Sequence, residues 1–78
     1  MARIVTIYSR RGCHLCEIAV TKARDLQQEF GYQIDEIFID GDEALTSAYG
    51  EQVPVIQIDG KPHDFFRINE ERFRAAFA

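Results

Sequence analysis

Tyr8-Ser9-Arg10-Arg11-Gly12-Cys13-His14-Leu15-Cys16 joins two stretches of chain with different periodicities. Before it, the β-branched run Ile4-Val5-Thr6-Ile7-Tyr8 predicts a buried strand over residues 3–8, ended by the Ser-Arg-Arg-Gly loop. After it, Leu15, Ile18, Ala19, Ala23, Leu26 and Phe30 recur at helical spacing, with Glu17, Lys22, Arg24, Asp25 and Gln28 on the other face. Gly31 then supplies a C-cap, since glycine takes the left-handed conformation there without steric penalty. The two cysteines are the only ones in the chain and fall where strand gives way to helix. The first sulfur therefore sits at a helix N-terminus, where unpaired N–H groups and the helix dipole favour negative charge. Thiolate, rather than thiol, is the attacking species in disulfide exchange. The stretch reads as a redox site.

Working outward, 78 residues make one domain, 1–78, near the lower limit for a chain that builds its own core. Apolar residues are 46% of the chain and charged ones 28%, a globular balance in which six Phe and three Tyr supply much of the buried area. A Cys13–Cys16 disulfide closes too short a loop to staple a fold, which excludes a structural bridge of the secreted kind. Met1-Ala2-Arg3 runs directly into the first strand with no resemblance to a signal peptide, and no apolar run approaches the ~20 residues that span a bilayer. The expected location is the cytoplasm, with no membrane partner and the chain acting as a monomer. Net charge is −4, yet bases gather at Arg3, Arg10, Arg11, Lys22 and Arg24 and again at Arg67, Arg72 and Arg74, with an Arg pair beside the first cysteine, whereas residues 35–51 hold acids and no base. That distribution argues against nucleic-acid binding and suits a small anionic thiol.

Residues 32–39 predict a second strand, with Ile37-Phe38-Ile39 suggesting burial on both faces. Strand, helix, strand at this spacing is a βαβ unit with parallel strands and a right-handed crossover. Asp40-Gly41-Asp42-Glu43 is a turn leading to a short helix through Ala44, Leu45, Ala48 and Tyr49, ended at Gly50 and carrying a solvated acidic face. Residues 53–59 predict a third strand, Asp59-Gly60 a hairpin, and residues 61–67 an antiparallel edge strand with Pro62 tolerated at its start. Asn69 is an N-cap for a closing helix that lines Phe73, Ala76 and Phe77 along one face. The order is βαβαββα.

Tyr-Ser-Arg-Arg-Gly-Cys-His-Leu-Cys, then Tyr49-Gly50 before Val53-Pro54-Val55, then Asp59-Gly60 together resemble the thioredoxin superfamily, and more closely its small glutaredoxin-like branch. The resemblance covers essentially the whole chain. It implies an α/β thioredoxin fold: a four-stranded mixed sheet flanked by helices. It implies that Pro54 is cis and that the Val53 backbone is turned toward Cys13, its N–H and C=O free for an extended substrate. It implies that Cys13 is the nucleophile and Cys16 the resolving thiol of a protein disulfide oxidoreductase, with no bound organic cofactor and with electrons from glutathione or a thioredoxin-type reductase. Arg10 and Arg11 would favour the Cys13 thiolate, one of them at a glutathione carboxylate, or else be solvated loop residues. His14 either favours that thiolate as a cation or is a polar helix-start residue. Tyr8 either packs beside the site or joins the core.

The sequence departs from its relatives in three places. His14-Leu15 stands between the cysteines where glutaredoxins usually carry Pro-Tyr. His63-Asp64-Phe65-Phe66-Arg67-Ile68-Asn69 replaces the Gly-Gly and Ser/Asp pair that hold the γ-glutamyl end of glutathione, leaving only Asn69. Ile7 stands where thioredoxins have a buried acid.

Two other functions use the same cysteines. A copper chaperone binds Cu(I) through such a pair, but those domains run βαββαβ and place a Met shortly before the first Cys, whereas the one Met here is Met1. Zinc could draw on Cys13, Cys16, His14 and His63, although adjacent Cys13 and His14 point apart on a helix. A partner-specific redox module is the third reading. Phe65 and Phe66 are adjacent on the expected edge strand, so one must face out and could form an apolar docking surface.

Overall fold

A computed structural model describes residues 3–78, so the lead-in at Met1 and Ala2 lies outside the described residues. The elements are β1 (Ile4–Ser9), α1 (His14–Phe30), β2 (Gln33–Phe38), α2 (Glu43–Tyr49), β3 (Val55–Ile58), β4 (Lys61–Phe65) and α3 (Glu70–Phe77). This is the expected βαβαββα order. The sheet runs β2-β1-β3-β4, with β1 parallel to β2 and antiparallel to β3, and β4 antiparallel to β3. It is the mixed four-stranded sheet that the resemblance implied.

Alternation along β1 sends Val5, Ile7 and Ser9 to one face, all 0% exposed. On that face Val5 and Ile7 join Ile56 and Ile58 of β3, the α1 residues Ala19, Val20, Ala23 and Leu26, and Tyr32, Ile68 and Phe73 in one core. The opposite face carries Tyr8, whose ring stacks on Tyr49 of α2 with centroids 4.6 Å apart. Tyr8 is thus only partly buried and outside the main core, because it alternates away from Ile7. Tyr32 knits the first face together: its hydroxyl donates to the Ala23 carbonyl, and its ring meets Phe73 edge-on and Phe77 stacked.

The ends form where local chemistry put them. Gly31 caps α1 at φ 73°, Asp42 Oδ1 accepts the Leu45 N–H at 3.0 Å, and Asn69 Oδ1 accepts the Arg72 N–H at 3.1 Å. At the β3–β4 hairpin Asp59 and Gly60 both take positive φ, 52° and 81°. Asp59 also receives the Ile4 N–H at 3.0 Å and the Arg3 guanidinium at 2.8 Å, tying the hairpin to the start of β1.

Four expectations need correction. α1 buries Cys16, Ala19, Val20, Ala23 and Leu26, whereas Leu15 and Ile18 are 49% and 47% exposed. At 100° per residue, turning Cys16 inward carries Leu15 and Ile18 round to the flank. β2 is not buried on both faces; it is a sheet edge with Ile37 and Phe38 exposed, and only Ile39 just beyond it fully buried. β3 begins at Val55 rather than 53, after a cis Val53–Pro54 bond. β4 stops at Phe65, and Phe66 adopts φ 69°. That turn breaks the strand alternation, so Phe65 and Phe66 are both exposed where one was expected.

Candidate active site

β1 hands the chain to α1 through a turn in which the Cys13 N–H donates to the Arg10 carbonyl at 3.3 Å. Gly12 precedes it at φ 73°, a conformation that a side chain would strain, and so swings Cys13 onto the helix start. Cys13 is the N-cap residue. Its sulfur accepts the Cys16 N–H at 3.3 Å, and its carbonyl accepts the Glu17 N–H at 3.1 Å. Cys13 is partly exposed and Cys16 is 2% exposed, and both are free thiols.

Burial and a hydrogen bond to Cys13 push the Cys16 thiol up to about 11, against the opposing pull of the Arg10 backbone N–H and the Ser9 hydroxyl. Burial likewise pushes Tyr32 up to about 12. Both groups hold protons in the folded chain that the unfolded chain releases. Their contribution is therefore intact below about pH 9 and is lost as pH rises through about 11 for Cys16 and about 12 for Tyr32. The urea midpoint of the reduced protein should accordingly fall steadily from pH 9 upward, and a flat midpoint over that range would show that neither group is held protonated.

The expected neighbours of Cys13 are distributed as follows. Arg10 donates from Nη1 to the Gly50 carbonyl at 3.1 Å, tying the loop to the end of α2. The Arg11 N–H donates to Asp40 Oδ2 at 3.0 Å, and its guanidinium lies over the Phe38 ring at 5.2 Å. His14 points outward, its side chain 83% exposed, with Nδ1 3.7 Å from the Glu17 carboxylate. Pro54 is buried, and its carbonyl accepts the Phe66 N–H at 2.8 Å. The Val53 N–H and C=O find no partner among the described residues. Asn69 spends its side chain on its own helix, and its N–H goes to Asp64 Oδ2 at 3.1 Å. Among the described residues no three His, Cys, Asp or Glu side chains gather as a metal site requires. His63 instead meets the Phe73 ring edge-on, so the zinc set considered above is not brought together.

Two features escaped the sequence reading. One is a groove of about 370 Å³ that reaches Leu15 between the cysteines, lined also by Ile18, Lys22, Phe66, Arg67 and Glu70. Leu15 and Phe66 leave large rings and branches at its surface; Lys22 is paired with Glu70 at 3.2 Å, and Arg67 makes no hydrogen bond or ion pair among the described residues. Adjacent Phe65-Phe66 was the available signal. The other is Ser9, the last residue of β1, fully buried at the turn toward the cysteines. A serine opening a loop motif carries no signal of burial.

Residues 4–78 match the Glutaredoxin-like domain family (DUF836). An uncharacterized protein of Mycobacterium tuberculosis is 29% identical over 79 residues, an alignment that takes in 95% of this chain and 81% of that protein. Among solved structures, protein Ne2328 of Nitrosomonas europaea is similar with a TM-score of 0.87 and 31% identity, covering 100% of this chain and 94% of that one. Protein XcR50 of X. campestris is similar with a TM-score of 0.73 and 38% identity over 92% of each chain. Fasciola hepatica thioredoxin gives a TM-score of 0.67 at 23% identity, over 97% of this chain and 78% of its own, a likeness of fold.

Proposed function

Because the chain belongs to the Glutaredoxin-like domain family and has the thioredoxin fold, we propose that it is a dithiol oxidoreductase that exchanges protein disulfides through Cys13 and Cys16. The observation that carries this reading is the asymmetry of the pair. One sulfur is reachable, at a helix N-cap with an N–H donated to it; the other is buried one turn later and held as a thiol. The Cys13 thiolate attacks one sulfur of a substrate disulfide, a Cys13–substrate S–S bond forms, and the other substrate sulfur leaves with the electron pair and takes up a proton. Cys16 then attacks the Cys13 sulfur, and the second substrate thiol is released. Two electrons pass from the pair to the substrate, leaving a Cys13–Cys16 disulfide for glutathione or a thioredoxin-type reductase to reduce.

Leu15, between the two cysteines, and Phe66 line the groove that a substrate of Cys13 would occupy. That surface is largely apolar beside the Lys22–Glu70 pair, with Arg67 its one cation unpaired among the described residues, and the Asn69 and Asp64 side chains already close the start of α3. Phe66 holds its ring partly at the surface from a positive φ that non-glycine residues rarely adopt, packed edge-on against Phe65 with centroids 5.0 Å apart. The substrate is accordingly an extended protein segment with apolar residues beside its disulfide and an acid beyond them. Its backbone pairs with the free Val53 N–H and C=O, with Val53 and Pro54 forming one wall of the binding surface. His14 is left exposed to meet it, while Arg10 and Arg11 shape the loop and make its surroundings positive. No helix among the described residues is long and apolar enough to cross a membrane.

Two synthetic disulfide peptides test the substrate class, one flanked by Leu-Phe and Asp, the other by Ser-Gly and Lys. The first should be reduced with about tenfold higher kcat/KM, and Phe66→Gly, which suits the backbone there and removes the ring, should collapse the ratio toward one. Equal rates in the wild type, with glutathione disulfide reduced faster than either, would point to glutathione instead.

A further inference from the structure

Ser9 is 0% exposed, and among the described residues its hydroxyl meets no partner at full hydrogen-bond geometry. A buried hydroxyl without a partner destabilises the folded state, and an alanine in its place would not. The hydroxyl lies near enough to the Cys16 sulfur to favour its thiolate, as does the Arg10 backbone N–H. Two donors, one at the end of β1 and one just past it, thus lie beside a sulfur whose S–H, in the dithiol, is shared with Cys13 in a hydrogen bond. No carboxylate replaces them: Ile7, on the same face of the strand, is apolar. Cys13 from the helix cap, Ser9 from the end of β1 and the Arg10 N–H from the loop after it are the groups acting on Cys16.

We propose that Ser9 is a positioning residue for the second half of the exchange, donating its O–H to the Cys16 thiolate as that sulfur attacks the mixed disulfide on Cys13. The inference rests on the exchange chemistry proposed above. Cys16 gives its proton to water, its sulfur bonds to Cys13, and the Cys13–substrate bond breaks. The departing thiolate regains a proton from water, while Ser9 keeps its own throughout. The hydroxyl is idle while Cys16 is a thiol and is engaged only when charge develops there, the pattern expected of a group that favours one step.

A single turnover with dithiobis(nitrobenzoate) separates the two steps, because attack by Cys13 releases one thionitrobenzoate and resolution by Cys16 releases the second. In Ser9→Ala the second release should slow about tenfold relative to the first at neutral pH. Its pH profile should move upward by about one unit. Its thermal midpoint should equal or exceed the wild-type value, and Ser9→Thr should restore the second release. An unchanged ratio of the two releases and an unchanged pH profile in Ser9→Ala would overturn the inference, as would a lowered melting point with both releases slowed alike. Absence of the first release in the wild type would instead overturn the exchange reading itself.

Discussion

Replacing Cys13 with Ser should lower disulfide reduction by about a thousandfold, while Cys16→Ser should leave the first attack and halt the second, accumulating a covalent adduct between Cys13 and its substrate. The two outcomes differ because the sulfurs do different work. Serine at position 13 keeps the helix cap, since an oxygen accepts the position-16 N–H as well as the sulfur does, but a hydroxyl is no nucleophile toward a disulfide at neutral pH. Serine at position 16 leaves Cys13 reachable and removes only the group that would release the product. Mass spectrometry of each variant after exposure to a disulfide peptide reads both results directly. Full dithiol-dependent turnover in Cys13→Ser would reject the assignment, and a Cys16→Ser protein that accumulates nothing would remove the resolving role.

Phe73→Ala should lower stability by about 3–5 kcal/mol. Phe73 is 0% exposed and the meeting point of the aromatic cluster, its ring 5.1 Å from Phe77, 5.6 Å from Tyr32 and 5.9 Å from His63. It is also the one residue of α3 that is fully inside the core, so its removal leaves a cavity and loosens the helix from the sheet. A domain of this size is stabilised by only about 4–12 kcal/mol in total. The thermal midpoint, followed by circular dichroism, should therefore drop by tens of degrees, at roughly 4–8 °C per kcal/mol, or the variant should be unfolded at 37 °C. A drop of a few degrees would mean that α3 is held by Phe77, Ile68 and the Lys22–Glu70 pair instead.

The order of elements, the cap residues Gly31, Asp42 and Asn69, the Asp59-Gly60 hairpin and the placement of Cys13 ahead of Cys16 were legible in the sequence. Each is written in spacing or in residue types that act within a few positions of themselves. A cap needs only the N–H three residues on, and a hairpin needs only two residues able to take positive φ. The resemblance added the cis bond before Pro54, which no local rule could supply.

Burial was another matter, because it depends on what lies across from a residue. Leu15 and Ile18 have the right hydrophobicity and helical spacing for the core, but so do Cys16 and Val20, and only the docking of α1 onto β1 and β3 chose between them. Ile37 and Phe38 read as doubly buried until the sheet order put β2 on an edge. Ser9 looked like the first residue of a loop, yet strand register carried it inward, while a single backbone turn at Phe66 left both Phe65 and Phe66 exposed, Phe66 in the groove with Leu15. Periodicity says which side chains share a face; only contacts between residues far apart in the chain decide whether that face meets protein or water.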